Sequence, residues 1–96
     1  MALKMDVVTA DDNTISSAYF KIMTTIVEWE MNYAVIVLGA WKGRNAYQNK
    51  KRQIILNEDL SYKMSFSPGT EMGSRSDIYT WLKTLPFFAT ATDAQD

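Results

Sequence analysis

Residues 29–41 constrain the fold of this chain more than any other stretch of its sequence. Beginning at Trp29, they run Trp-Glu-Met-Asn-Tyr-Ala-Val-Ile-Val-Leu-Gly-Ala-Trp, with nearly every large apolar side chain at an odd position. Alternate residues of a β-strand point to the same side, so the odd positions predict one buried face. The even positions begin polar and are apolar from Ala34 onward, which is typical of a strand covered on both faces over its second half. We therefore expect a central strand with Val35 and Val37 in the core.

A second strand is predicted over residues 14–27, which are rich in β-branched and aromatic side chains. Its even positions include Phe20, Ile22 and Ile26, and we expect this side of the strand in the core. A helix fits part of the segment, because apolar residues also recur there at spacings of three and four, but the many Ser, Thr and Ile residues favour the strand. No Gly, Pro or Asn-Gly pair marks the end of this strand, so its boundary is poorly defined.

Residues 60–67 alternate regularly between apolar and polar side chains. Tyr62, Met64 and Phe66 share one side and Ser or Lys the other, which predicts a strand that is buried on one face. An Asn-Glu-Asp turn precedes this strand, and the apolar residues before that turn predict a hairpin with a short strand over residues 53–57.

A C-terminal helix is predicted over residues 74–85. Ser74 is followed three residues later by Asp77, a pair that resembles a capping box, and Pro86 is expected to end the helix. Four apolar residues then recur at i, i+3, i+4 and i+7, and we expect this stripe to pack on the buried face of the central strand. The stripe consists of Ile78, Trp81, Leu82 and Leu85.

Together these segments predict one α+β domain over residues 1–96, a small, mostly antiparallel β-sheet packed against one C-terminal α-helix. The sheet occupies residues 14–67. Residues 1–13 form an N-terminal arm or edge strand that ends in an Asp-Asp-Asn turn, and residues 68–73 form a flexible Gly-containing link. Residues 86–96 form a C-terminal tail, of which the polar residues 89–96 are expected to fray unless a neighbour holds them.

The composition argues against several classes of function. The chain of 96 residues contains no Cys and no His, which excludes thiolate metal sites, hydrolytic triads and histidine zinc ligands. Its Asp and Glu residues cluster in turns, and no Gly-rich phosphate-binding loop is present. We therefore expect no enzyme, no catalytic residue, no cofactor, no metal and no small-molecule substrate. Its apolar runs are too short for a membrane helix, so we expect a soluble chain without a membrane partner.

Residues 42–52 contain five of the ten Lys and Arg residues, with Tyr47 among them. They could form a phosphate-binding patch with a stacking ring, or a solvated loop that protects a sheet edge or contacts a partner. The second alternative is favoured, because uncharged residues interrupt the basic ones and only Lys50, Lys51 and Arg52 are contiguous. The net charge of −1 also supplies no long-range attraction to nucleic acid, so we do not expect nucleic acid as a partner.

The chain carries more large apolar side chains than a domain of this size can bury. Three Trp, five Tyr, four Phe and six Met residues predict self-association or attachment to a larger protein assembly. The candidate interface residues are Trp29, Trp41, Tyr47, Lys50, Lys51, Arg52, Phe87 and Phe88. The candidate core residues are Phe20, Ile22, Val35, Val37, Met64, Phe66, Ile78, Trp81, Leu82 and Leu85.

The ends of the chain carry a further pattern. The sequence opens with Met-Ala-Leu, continues with Ala-Tyr-Phe-Lys-Ile at residues 18–22, and reads Tyr-Thr-Trp-Leu-Lys-Thr-Leu-Pro-Phe-Phe at residues 79–88, followed by Ala91 and Asp93. This pattern resembles a group of small structural proteins of tailed bacteriophages. The resemblance implies a noncatalytic virion protein of the tail, baseplate, neck or capsid. Its partners would be further copies of itself and other virion proteins, and its location the virion.

Overall fold

A five-stranded antiparallel sheet in the order β4-β3-β2-β1-β5 organises the molecule. The computed structural model describes residues 2–67 and 74–94, so the predicted link over residues 68–73 lies outside the described residues. The strands are β1 Ala2–Val8, β2 Thr14–Glu28, β3 Tyr33–Trp41, β4 Ser61–Ser65 and β5 Thr92–Ala94. The helices are α1 Arg44–Gln48, α2 Arg75–Leu82 and a single 3₁₀ turn, Pro86–Phe88. The predicted α+β class is confirmed.

Strands β2 and β3 form a long hairpin that runs from the Tyr19–Trp41 pair to the Glu28–Tyr33 pair. The four residues of its turn contain no Gly. Instead, Asn32 adopts a positive φ of 57°, which Asn tolerates better than most residues, and its N–H donates to the carbonyl of Trp29 at 3.4 Å. The strand predicted from Trp29 therefore begins four residues later, at Tyr33.

A β-bulge at Met23 divides this hairpin. Ile22 pairs with Leu38, but Thr24 already pairs with Val37, so β2 contains one extra residue. Because one extra residue reverses the alternation, the core side of β2 changes from even to odd positions. Ile26, which was predicted to share a face with Phe20 and Ile22, is therefore 50% exposed.

The face of β3 that enters the core is the opposite of the predicted one. The buried side chains are the even ones, whereas Val35 and Val37 are half-buried on the other face and are not part of the main core. Trp29 and Met31, predicted to continue the buried face, are exposed. Both faces of β3 are apolar, so alternation could not show which one the helix would cover. The buried even residues are Ala34, Ile36, Leu38 and Ala40.

Helix α2 begins as predicted and ends early. Ser74 Oγ accepts from the N–H of Asp77 at 3.3 Å, and Asp77 Oδ2 accepts from the N–H of Ser74 at 3.0 Å, which completes the capping box. The helix ends at Leu82 rather than at residue 85. Pro86 starts the 3₁₀ turn instead, after Leu85 adopts the extended backbone that a following Pro favours.

The buried side of α2 differs by one residue from the predicted stripe. Ile78, Tyr79 and Leu82 are buried, and Tyr79, which was not in the stripe, is completely enclosed. Trp81 and Leu85 are only half-buried at the margin of the core. The core candidates Phe20, Ile78 and Leu82 are confirmed as buried, while Ile22, Met64 and Phe66 are half-buried against the core cluster.

The C-terminal residues complete the core and the sheet, so residues 89–94, which were expected to fray unless a neighbour held them, are held by the rest of the chain. Phe88 is fully buried, with its ring edge-on to Phe20 at a centroid distance of 5.4 Å. Phe87 is half-buried and contacts both of these rings. Strand β5 then pairs with β1, and Lys83 Nζ lies 2.8 Å from Asp93 Oδ1. Strand β1 is consequently an inner strand over the residues that pair with β5.

Residues 53–57 do not form the predicted strand, and β4 pairs with β3 instead. The extended segment that includes Ile54 and Ile55 makes only isolated contacts: the N–H of Ile54 donates to Ala40, and the carbonyl of Ile55 accepts from Ala10, both at 2.9 Å. Strand β3 is a longer and more apolar partner for β4 than residues 53–57, which explains why β4 pairs with β3 and not with that segment. Likewise, residues 42–52 are not simply a loop, because they contain α1.

Candidate functional site

The turn end of the β2–β3 hairpin exposes large apolar side chains. Trp29 is 64% exposed and Met31 is 68% exposed, and they alternate with the exposed Glu28 and Glu30. The Trp29 ring touches Phe66 edge-on at a centroid distance of 5.8 Å. The sequence between Met23 and Trp41 contains no Lys or Arg. We call residues 28–31 the hairpin tip, which is apolar and acidic at once.

The sheet face opposite α2 is also partly open beside the tip. Val35 and Val37 on β3 are half-buried there, and Met23 and Ile26 on β2 are about half exposed. Lys63 of β4 crosses this face, with its Nζ 4.3 Å from the centre of the Tyr33 ring. These side chains give the distal part of the hairpin a second apolar surface.

The other end of the hairpin carries an aromatic cluster that covers the same sheet face. The Tyr47 ring of α1 lies 4.8 Å from the Trp41 ring and 5.3 Å from the Tyr19 ring, between centroids. Trp41 is only 5% exposed, and its indole N–H donates to the carbonyl of Lys51 at 3.2 Å. Gly39 leaves the room for this ring, because a Cβ there would lie 2.5 Å from it.

Two predicted interface residues therefore belong to the interior. Trp41 closes the aromatic cluster and Phe88 fills the core, so neither presents a surface to a partner. Tyr47 is half-buried against Trp41, which makes it chiefly a packing residue. Trp29, by contrast, lies on the surface as an interface residue must.

A groove beside this cluster is lined by basic and apolar side chains. Its volume is about 830 Å³, and it lies between the β1–β2 turn and the segment that follows α1. Ile15, Ile54 and Ile55 supply apolar walls, and Ile55 is 71% exposed. Lys42, Lys51 and Arg52 line the same space. We call this the basic groove.

The carboxylate that also lines the basic groove is held in its own turn. The hydroxyl of Thr9 donates to Asp11 Oδ1 and accepts from the N–H of Asn13 at 3.0 Å. The bond from Thr9 lowers the pKa of Asp11, so this carboxyl is ionised at neutral pH. Asp12 has a positive φ of 66°, and the predicted Asp-Asp-Asn turn is confirmed.

The basic triplet of residues 50–52 does not form one continuous surface. Arg52 lines the basic groove, whereas Lys50 lines a separate depression with Met23 and Tyr47, and only Lys51 lines both. Lys50 has a positive φ of 55°, which turns the backbone at this point. The triplet is therefore divided between two neighbouring depressions that share Lys51, rather than lined up along one groove.

The described residues show no other constellation of reactive groups. They contain no group of three or more Asp and Glu side chains arranged to hold a metal ion, and no buried side-chain polar atom there lacks a hydrogen-bond partner. Burial, together with the bond that Tyr62 donates to Glu58 at 2.7 Å, raises the pKa of Tyr62. No helix in the described part of the chain is long and apolar enough to cross a membrane.

The sequence pointed to only part of these surfaces. It identified Trp29, Lys51 and Arg52 as contact candidates, but not Met31, which the odd-position pattern placed in the core. It also missed Ile55 as a groove residue, because that residue was assigned to a strand. Comparison with models of known families, with curated proteins and with solved structures gives no match for this chain.

Proposed function

We propose that this protein is a noncatalytic structural subunit that assembles in multiple copies, in the particle of a tailed bacteriophage. The observation that carries the proposal is the exposure of Trp29 and Met31 at the hairpin tip, beside the open face formed by Met23 and Ile26. Large apolar side chains that cluster on a surface mark sites of association, because water is removed from them only when a partner covers them.

The edges of the sheet offer a second means of association. Strand β5 pairs only with Ala2, Leu3 and Lys4, so the rest of β1 has no strand on that side among the described residues. Strand β4 forms the opposite edge and carries Ser and Lys side chains outward. Open strand edges pair readily with another chain, and the exposed Val8 adds apolar surface at the β1 edge.

The phage particle is proposed from the resemblance of the two ends of the chain. The residues that carry this resemblance have packing roles in the fold, since Tyr79 and Phe88 are buried and β5 is the next strand after Phe88. A shared pattern of packing residues favours a shared architecture and contains no catalytic group. Identification of the partner proteins would show which part of the particle contains this subunit, whether tail, baseplate, neck or capsid.

A second candidate function is a small nucleic-acid-binding module. The observation in its favour is that Lys42, Lys51 and Arg52 line one groove, without a carboxylate at ion-pair distance among the described residues. The separation of Lys50 from Arg52 and the net charge of −1 weigh against it. Binding through three phosphate contacts would lose affinity with a logarithmic salt slope of about −2 to −3.

Sedimentation velocity of the native protein over a micromolar concentration series tests the proposed function. We expect species larger than the monomer, in proportions that rise with concentration, and no retention of single- or double-stranded DNA at low salt. A chain that remains monomeric at every concentration would contradict assembly in multiple copies. If that monomer also retains DNA and releases it with added salt, the nucleic-acid-binding function replaces the first proposal.

A further inference from the structure

We infer that the hairpin tip of one copy binds in the basic groove of the next, so that copies of this chain associate head to tail. The inference rests on the proposed function and names the two surfaces that would carry it. Its premise is that these two surfaces differ in charge, match in apolar character and lie at opposite ends of one hairpin.

The position of the two surfaces comes from the strand register. The tip begins at the Glu28–Tyr33 pair, at one end of the ladder between β2 and β3. Lys42 of the basic groove follows Trp41 at the other end of the same ladder. A strand rises about 3.3 Å per residue, so the two ends of this ladder, which covers residues 19–28 of β2, lie roughly 30 Å apart. The longest dimension of the molecule is 43 Å. The tip therefore cannot reach the groove of its own chain.

The charges of the two surfaces are complementary. Glu28 and Glu30 give the tip two negative charges. The nearby Lys63 of β4 lies over the ring of Tyr33 on β3. Three cations line the groove, no carboxylate lies at ion-pair distance from them among the described residues, and Asp11 is bonded to Thr9. Opposite charges of this kind orient two partners and disfavour the reversed arrangement.

The apolar parts of the two surfaces also match. The tip presents Trp29 and Met31, and the groove presents Ile15, Ile54 and the largely exposed Ile55. A volume of about 830 Å³ lies in the range of sites that enclose a ligand, which suits a Trp and a Met side chain together. Trp is also the residue type most enriched among the anchors of protein interfaces.

The backbone of the groove offers further bonds. The N–H groups of Gln53 and Ile55 donate to no acceptor within the described residues, in a segment that is already extended. At the tip, the carbonyls of Glu30 and Met31 likewise accept no backbone bond in the described part of the chain. Donors of one copy and acceptors of the next can therefore pair when the tip enters the groove.

A contact between two different surfaces of the same chain has a geometric consequence. It repeats from copy to copy, so it closes into a ring if the rotation allows and otherwise extends into a filament. The tip comprises only residues 28–31, whereas a standard interface involves about 20–30 residues on each side. Each contact is therefore weak, and the assembly gains its stability from closure or from repetition.

Charge reversal of each surface tests the inference by sedimentation velocity, with circular dichroism as the check of folding. The tip variant is Glu28→Lys with Glu30→Lys, and the groove variant is Lys51→Glu with Arg52→Glu. Each variant alone places like charges opposite each other, so we expect association to weaken by about tenfold or more. The control variant Lys4→Glu with Arg75→Glu makes the same change of net charge as the groove variant at exposed positions outside both surfaces, and it should assemble like the native protein. Asp59→Lys likewise reverses an exposed carboxylate outside the tip and should leave assembly unchanged.

Mixing distinguishes this arrangement from general charge effects. In an equimolar mixture each variant's tip meets a groove of opposite charge only on the other variant, so we expect the larger species, lost in each variant alone, to return on mixing. A chain that carries all four reversals restores opposite charges and should again form larger species.

Three results would overturn the inference, and they have different meanings. If the native protein assembles and both charge reversals leave its sedimentation unchanged, the tip and the groove are not the contact, and the proposed structural function stands. If the native protein is monomeric at every concentration, the proposed function and the inference fail together. Dimers from each variant alone, without mixing, would also exclude head-to-tail contact.

Discussion

Trp41 and Trp29 lie at opposite ends of one hairpin and have opposite environments. Trp41 is 5% exposed beneath Tyr47, whereas Trp29 is 64% exposed and contacts Phe66 only along one side. We call the hairpin before the bulge, up to the Ile22–Leu38 pair, the proximal half, and the remainder the distal half. The proximal half has the core on one face and the aromatic cluster on the other. The distal half has the core on one face only.

The difference shows how one pair of strands can serve two purposes. Burial of apolar area stabilises the fold by about 25 cal/mol per Å², so the covered proximal half contributes to folding. The exposed side chains of the distal half contribute little until a partner covers them. The free energy that they can supply is therefore available for association. Substitutions in the two halves should accordingly change different quantities.

The largest expected effect on folding is that of Phe88→Ala. Phe88 is completely buried and packs edge-on against Phe20 and Tyr62. Its removal leaves a cavity and should lower the free energy of unfolding by about 3–5 kcal/mol, a large share of the 5–15 kcal/mol of a typical domain. Chemical denaturation measures this loss, and the half-buried Phe87→Ala should lose less. Equal stability of Phe88→Ala and the parent would show that the C-terminal turn is not part of the core.

Tyr79→Phe should have the next largest effect, because it removes a bond to the bulge that divides the two halves. The hydroxyl of Tyr79 accepts from the N–H of Ile22 at 2.8 Å. Without this hydroxyl the partly buried N–H of Ile22 is left unpaired, and we expect a loss of about 1–2 kcal/mol in the free energy of unfolding. The control Tyr33→Phe, at a half-exposed position of the distal half, should change stability by less than about 0.5 kcal/mol. Equal losses would mean that the bulge needs no support from α2.

Tyr62→Phe tests β4, the strand that pairs with the distal half, since Tyr62 pairs with Ile36 and packs on Phe88. Burial and the bond to Glu58 raise the pKa of Tyr62 above its ordinary 10.0, so the folded state holds this proton more tightly than the unfolded one. The resulting stability is full below about pH 10 and falls as the pH rises. Denaturation at about pH 8 and about pH 11 should show a smaller alkaline loss in Tyr62→Phe than in the parent. An identical loss would contradict the raised pKa.

The smallest effect on folding is expected from the double substitution Trp29→Ala with Met31→Ala. Both side chains are largely exposed, so the free energy of unfolding should change by less than about 1 kcal/mol. Sedimentation, however, should show the loss of species larger than the monomer. The comparison variant Val8→Ala removes an exposed apolar side chain at the β1 edge: unchanged assembly favours the tip-and-groove contact, and weakened assembly shows that the sheet edge takes part. A double variant that unfolds easily would mean that the tip belongs to the fold, and the distinction between the halves would be lost.

Local patterns determined much of this fold. The β-branched and aromatic residues of segment 14–27 and the alternation over residues 60–67 predicted two strands that are present, and Ser74 with Asp77 predicted the start of α2. Capping and alternation depend on neighbours within a few residues, so the sequence carries them directly. The absence of Cys and His and the surplus of apolar side chains likewise follow from composition alone.

Only the tertiary structure decided which of two apolar faces of β3 the helix covers, since Val35 and Ile36 are equally suited to burial in isolation. The bulge at Met23 reverses the alternation of β2, and no residue pattern near it announces the extra residue. The burial of Phe88 depends on β5 reaching β1, a contact between the two ends of the chain. Long-range pairing of this kind depends on all the strands at once. For the same reason Lys50 and Arg52, two positions apart in sequence, line different surfaces of the folded protein.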